Sequence, residues 1–246
     1  MIPLEITSKF KITSKYGWRT HPITKEKNFH HGVDIIDTKK EGTKNVNVTK
    51  GNKIYATANG KVVKVVNKGK HDGTMCQIRI QHKDYQSAYY HNESGSAKVK
   101  VGDYVNGGDY IAIAGMTGGA TGYHLHFQID KGTKATSIDP TEYAKGEKEL
   151  EGLLDLKLGN YVVISPRYIR YGAGVNYDIK KVKELTKNGQ KHCTSTNPNA
   201  KAQYKKDTTF TVEELRYATN GAVWGRSPSG WLCLRSHSGV NYCKKK

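Results

Sequence analysis

No stretch of the 246-residue chain stays apolar for the length a bilayer requires, so no membrane-spanning segment is expected. Met1 to Ile12 alternate apolar and polar side chains and hold no secretory apolar run. That points to a protein kept in a cytosol, released outside the usual export path, or written without its leader. Cysteine is scarce. Cys76, Cys193, Cys233 and Cys243 show no Cys-x-x-Cys spacing, which excludes a zinc cluster by pattern, and they are read as free thiols. Acidic residues are the minority, 22 Asp and Glu against 40 Lys and Arg. The resulting net charge of +18 calls for an anionic partner, and both nucleic acid and an anionic bacterial wall polymer meet that need. Helical periodicity is missing before residue 139, and there is no His-Glu-x-x-His helix to supply a glutamate base beside a metal.

What is abundant is glycine, 26 residues, and tyrosine, 16, which suits many short strands and turns. Residues 13–29 read as a loop broken by Gly17 and Pro22, with Tyr16 and Trp18 able to line a groove and His21 a surface residue. Residues 37–51 read as a polar loop. Strands are expected over 53–58 and 60–66 as a hairpin around Asn59-Gly60, then over 75–82 and 84–91 as partners. His71 and His82 read as exposed loop or strand-end residues. Two more short strands flank Asn106-Gly107-Gly108, and a glycine-rich loop, 115–122, feeds a strand at His124. Asp139-Pro140 is a helix-start pattern, and Leu150, Leu153 and Leu154 fall at helical spacing. Residues 144–158 are therefore expected to form a short helix or linker after a first domain over 1–143.

From Gly159 the texture changes to six short apolar stretches separated by turns, with Ser227 to Gly230 as a tight hairpin. This predicts a small barrel over 159–246, so the whole chain is expected to be all-β. The stretch carries 16 basic against 5 acidic residues, a net of +11. The preceding 158 residues hold the other 24 and 17, a net of +7. The long basic segment 188–206 reads as a mobile loop or an added binding surface.

Two stretches carry the chemistry: His30-His31-Gly32-Val33-Asp34 and His124-Leu125-His126-Phe127. Histidines two apart on a strand share a face. His and Asp four apart straddle a glycine that lets the backbone bend. Two histidines and one aspartate leave a fourth position open on a zinc ion, the arrangement of a catalytic site. The remaining histidine of the 124/126 pair, or His91, is then the candidate base. Donor chemistry alone does not separate His30 from His31, or His124 from His126.

The order Gly17-Trp18-Arg19-Thr20-His21-Pro22, His30-x-Gly-Val-Asp34, Tyr90-His91, Val99 to Val105 and His124-Leu125-His126-Phe127 resembles the M23 peptidases. These are the lysostaphin-type, LAS-group zinc endopeptidases that cut peptidoglycan peptides. The resemblance covers about residues 10–143. It implies an antiparallel β-sheet domain with one zinc ion per chain held by His30, Asp34 and His126. It also implies His91 and His124 as catalytic histidines, and His31 as a bystander. Residues 169–177 and 223–234 resemble a bacterial SH3-type wall-binding barrel. There Tyr168, Tyr171, Tyr177, Trp224 and Trp231 are the candidate ligand contacts, with a core position equally open to either tryptophan. In the first domain Tyr16 is a candidate substrate contact or simply a packing residue.

The expected function is therefore a zinc endopeptidase that cleaves stem or cross-bridge peptides of bacterial walls, tethered by its second domain to an anionic wall surface. The arrangement resembles a bacteriophage endolysin held in the host cytoplasm until lysis, with a mature secreted bacteriolysin as the variant. The alternative is a non-catalytic wall-binding or hydrolase-activating protein on the same scaffold. Nucleic acid is not the expected partner, because the lysines are spread over both domains and no recognition motif accompanies them.

Overall fold

The structure is a computed structural model that describes residues 1–21, 24–132, 136–153 and 156–246. Pro22 of the first motif and Leu154 of the leucine spacing lie outside the described residues. The chain divides into two compact units, Met1–Leu153 and Leu154–Lys246. Strands dominate both, as an all-β chain requires.

The first unit runs β1 (Lys9–Ser14), β2 (Gly17–Thr20), β3 (Lys27–His30), β4 (Val33–Glu41), β5 (Lys44–Asn47), β6 (Lys53–Tyr55) and β7 (Gly60–Val66). It continues through β8 (Gln77–Gln81), β9 (Tyr85–Tyr90), β10 (Tyr104–Val105), β11 (Tyr110–Ile113), β12 (Leu125–Lys131), β13 (Thr136–Ile138) and the helix α1 (Thr141–Lys145). The main antiparallel sheet has the order β1-β4-β12-β9-β8-β7-β10, with β5 added on β4 and β13 on β12. Alternation explains the core. Leu125, Phe127 and Ile129 of β12 point inward and are fully buried, as are Ile78 and Ile80 of β8. Burial of each such side chain contributes about 1.5–3 kcal/mol. The same period turns His126 and Gln128 to the opposite face. Across the sheet, His126 is in register with Asp34 on one side and Tyr90 on the other. Directly opposed residues share a face, so the pairing itself delivers these side chains to one place.

Several local expectations fail, each for a physical reason. Residues 13–29 are not a loop, because β2 and β3 pair as a hairpin. Residues 37–51 are a hairpin too. β4 runs on to Glu41 and returns as β5 through Gly42, whose φ of 59° suits glycine. Asp37 is wholly buried there, its carboxylate accepting from the amides of Thr7, Ser8 and Lys9 and from Asn52 Nδ2. Asn59-Gly60 is not a hairpin turn, since β6 pairs with β11 while β7 pairs with β8 and β10. Asn59 instead joins two sheets: its carbonyl accepts from Leu153 N and its Oδ1 from Gly107 N. His82 is not exposed. It is fully buried in a polar chain, Nδ1 at the Asn59 carbonyl and Nε2 at Ser87 Oγ, with Ser87 Oγ donating to Tyr89 Oη.

The stretch read as a short helix or linker holds only the end of a helix that starts before it. Asp139 Oδ1 does accept from the Thr141 amide, but α1 ends at Gly146 in the left-handed conformation, and residues 147–153 are irregular.

In the second unit, β14 (Gly159–Val163) lies between β17 (Thr209–Val212) and β21 (Cys243–Lys245). β18 (Glu214–Tyr217), β19 (Val223–Ser227) and β20 (Gly230–Arg235) form a meander, and β15 (Arg167–Tyr168) pairs with β16 (Gln203–Tyr204). Tyr161, Val163, Ile169, Leu232 and Leu234 are buried in its core. The turn at 227–230 closes a hairpin as its sequence requires. The 188–206 segment is not a plain loop. It carries most of α2 (Lys187–Lys191), whose first turn is capped by Thr186 Oγ1, and Cys193 after it is buried.

Candidate metal centre

Three elements converge on one cleft of about 500 Å³. β3 ends at His30, β4 starts one residue before Asp34, and β12 carries His126. His30 Nε2 lies 2.9 Å from His126 Nδ1 and 3.2 Å from Asp34 Oδ1, and His126 Nδ1 lies 3.0 Å from the same oxygen. One donor atom from each of the three falls within 4.8 Å of the others. His30 Nδ1 donates to the Lys15 carbonyl at 2.8 Å, which leaves the Nε2 lone pair facing the cluster.

Two imidazoles and a carboxylate pressed this close form a donor set that suits a divalent ion such as zinc. Burial opposes ionisation of Asp34, but its contacts with His126 and His30 and the nearby His124 outweigh that and hold its carboxyl far below the usual carboxylate range. Burial pushes His126 down, against the pull of Asp34. Both shifts favour the forms that bind a cation: the ionised carboxylate and the neutral ring.

Gly32 is required for closeness rather than for a bend. A Cβ there would sit 2.5 Å from the Phe127 carbonyl and 2.6 Å from His126 Nε2, so any side chain would displace a donor ring.

A second histidine pair faces the first set. The rings of His91 and His124 are 4.6 Å apart, and His124 Nε2 is 3.7 Å from Asp34 Oδ1. Each is held by a backbone carbonyl at Nδ1, His91 by Thr117 at 2.7 Å and His124 by Gly122 at 2.8 Å. Nδ1 is therefore the nitrogen that donates to a carbonyl in both rings, which leaves Nε2 for the cleft-side contact. His91 has a φ of 63°, an uncommon conformation for a non-glycine residue, immediately after β9. Burial and the neighbouring His124 push its pKa down to about 4, so it is neutral at pH 7.

The structure thus brings His30, Asp34, His126, His91 and His124 into one cleft. His31 lines the same cleft, with Nδ1 2.7 Å from Ser137 Oγ, and so does His21, which sequence reasoning left at the surface. Arg19, Tyr90, Met75, Gly119 to Thr121 and Gln128 complete the walls. Arg19 was legible in the first motif, but nothing in that pattern assigned it a task.

The aromatic candidates divide. Tyr16 does not face the cleft. Its hydroxyl donates to the Ser137 carbonyl at 2.8 Å and its ring meets Phe29 edge-on. Trp224 and Trp231 are 3% and 9% exposed and pack with Ala222, Ala173, Ala218 and Cys233, which makes them core rather than ligand contacts. Tyr168, Tyr171 and Tyr177 are exposed. Tyr171 and Tyr177 line a groove of about 440 Å³ in the second unit with Arg170, Glu184 and Lys201, while Tyr168 lies outside it.

Comparison with known proteins follows this geometry. Residues 28–140, which include all five converging residues, match the sequence model of Peptidase family M23. The peptidoglycan DD-endopeptidase ShyB of Vibrio cholerae is 35% identical over 121 residues, covering 48% of this chain and 25% of that protein. Lysostaphin of Staphylococcus simulans is 30% identical over 132 residues, covering 53% of this chain and 24% of that protein. The solved catalytic domain of lysostaphin from Staphylococcus simulans is 27% identical, covers 56% of this chain and 92% of that domain, and superposes with a TM-score of 0.42. The chain spans about a quarter of the length of these two curated relatives. The match to the Peptidase family M23 model therefore lies within the first unit.

Proposed function

We propose that the chain is a zinc-dependent endopeptidase that hydrolyses peptide bonds of bacterial peptidoglycan, with one ion per chain held by His30, Asp34 and His126. The observation that carries this is the convergence, in a single open cleft, of a metal donor set and a separate pair of histidines whose Nδ1 atoms are held by backbone carbonyls. Zinc bound there would polarise the scissile carbonyl and acidify a water. The protein's own residues do the rest. Nε2 of His124, and of His91 beside it, accepts a proton from the attacking water and returns one to the leaving amine. The backbone carbonyls at Nδ1 keep both rings oriented through that exchange. Burial of His91 keeps it in the basic, neutral form at working pH.

We also read the second unit as a wall-binding module. Its support is the net of +11 over residues 159–246 and the groove with exposed Tyr171 and Tyr177, whose rings offer an apolar face and a polar tip. A phage endolysin released to the wall at lysis is the finer form of this reading, and a secreted bacteriolysin is its variant.

Digestion of purified walls from several Gram-positive species tests the proposal. The expected result is new free amino termini, abolished by chelation and restored by zinc, with the terminal residues naming the bond cut. Undiminished release of amino termini after complete metal removal would contradict it.

A further inference from the structure

The cleft's walls are chemically unequal. One is lined by Met75, Gly119, Ala120 and Thr121. The other is formed by the β2–β3 hairpin and carries Arg19. Alternation along β2 turns Trp18 outward, 69% exposed, and Arg19 inward. Among the described residues that line the cleft, Arg19 is the one permanent cation and Asp34 the one carboxylate. The Arg19 guanidinium lies 3.9 Å from Asp34 Oδ2. That is an ion pair, but it is longer than the roughly 2.7–2.9 Å of a charge-assisted hydrogen bond, so Asp34 does not use the donor fork of the guanidinium. A cation held beside a site built for a second cation, with one carboxylate between them, is electrostatically unfavourable unless an incoming anion balances it. A planar fork of this kind matches a carboxylate.

We propose that Arg19 is a specificity residue that binds a free carboxylate carried by the substrate, on the carbon that bears the leaving nitrogen of the scissile amide. The inference rests on the peptidase reading above. Arg19 stands beside Asp34 at the donor cluster, close enough to meet a carboxylate carried next to the scissile amide. A peptide's C-terminal residue presents that chemistry, and so does a cross-link through the side-chain amine of a diamino diacid whose adjacent carboxyl is free. An oligoglycine bridge does not, because its corresponding carboxyl is already an amide.

The test compares wild type with Arg19→Gln, both zinc-loaded, on peptides identical except that this carboxyl is a free acid or a primary carboxamide. The acid is offered once as a C-terminal residue and once as a branched cross-link, which separates the two sources. Wild type is expected to favour at least one acid over its amide by about ten- to a hundredfold in kcat/KM, the range of a hydrogen-bonded charge pair. Arg19→Gln is expected to bring that ratio to near one, through a larger fall in kcat/KM on the acid than on the amide, with zinc content unchanged. Titration calorimetry with uncleavable ketomethylene analogues of the same pair supplies a readout without turnover, and the same preference and its loss are expected there.

An equal loss on acid and amide, with falling zinc content, would show that Arg19 only orients Asp34 and would overturn the inference. Wild type that cleaves oligoglycine or the amide as well as the acids would also overturn it, while the peptidase reading stands. If wild type cleaves nothing, the peptidase reading fails. Calorimetry then decides this inference alone: an acid preference lost in Arg19→Gln sustains it, and no preference rejects it.

Discussion

The two units spend the same residue types differently. In Met1–Leu153 the histidines and one aspartate converge, and their ring nitrogens are fixed by backbone carbonyls of Lys15, Thr117 and Gly122. Even a histidine outside the cleft lining, His82, is buried within a hydrogen-bonded chain. In Leu154–Lys246 the large aromatic side chains separate instead. Trp224 and Trp231 go into the core, and Tyr168, Tyr171 and Tyr177 stay at the surface. Histidine spacing therefore announces a site, because ligand geometry constrains it. Aromatic content does not, because a ring serves a core or a binding face equally well.

That contrast is sharpest at the chemical step. His124→Ala is expected to lower kcat by about 10²- to 10⁴-fold while the protein still binds zinc. Tyr171→Ala in the second unit is expected to leave kcat on a soluble peptide unchanged. Steady-state kinetics with metal analysis on both variants checks this, and a similar fall in both would erase the distinction between the units.

The next effect is on stability. The folded-state pKa of His82 is about 4 against an ordinary 6.5, because burial penalises the charged ring. The unfolded chain therefore takes up the proton first as pH falls. Stability from this residue is complete above about pH 6.5 and is lost as pH drops toward 4, about 3 kcal/mol in all. Urea unfolding at pH 7 and pH 4.5 is expected to show the loss in wild type and a flatter dependence in His82→Asn.

The smallest effect belongs to the second unit. Tyr171→Ala and Tyr177→Ala are each expected to weaken binding to intact walls by about 1 kcal/mol, roughly fivefold, without changing soluble-peptide cleavage. Sedimentation with purified walls measures it. Unchanged binding in the double variant would remove these tyrosines from the wall contact.

The sequence made the site more legible than the fold around it. His124 and His126, two apart, and His30 and Asp34, four apart, are placed together because strand period and cross-strand register are local rules, and β4 and β12 obey them. Strands such as β8, β9 and β12 were legible for the same reason. Tertiary context hid the rest. Asn59-Gly60 has hairpin chemistry, yet the chain there crosses between two sheets and Asn59 bonds to Gly107 and Leu153. Asp37 and His82 look like surface residues until their buried partners are known, since one sequence does not show where a polar side chain finds its hydrogen bonds. By type Trp224 and Trp231 fit a ligand face or a core equally, and packing puts them in the core. Arg19 was visible but silent, because its meaning depends on the 3.9 Å that separates it from Asp34.

The account turns on one ion shared by His30, Asp34 and His126. Zinc titration of the metal-free protein, followed by competition with a chromophoric chelator, measures it directly. The account predicts one tightly bound equivalent in wild type and in His124→Ala, and none in His30→Ala, Asp34→Ala or His126→Ala folded to the same extent by circular dichroism. An equivalent retained in all three ligand variants, or no tight equivalent in wild type, would contradict it.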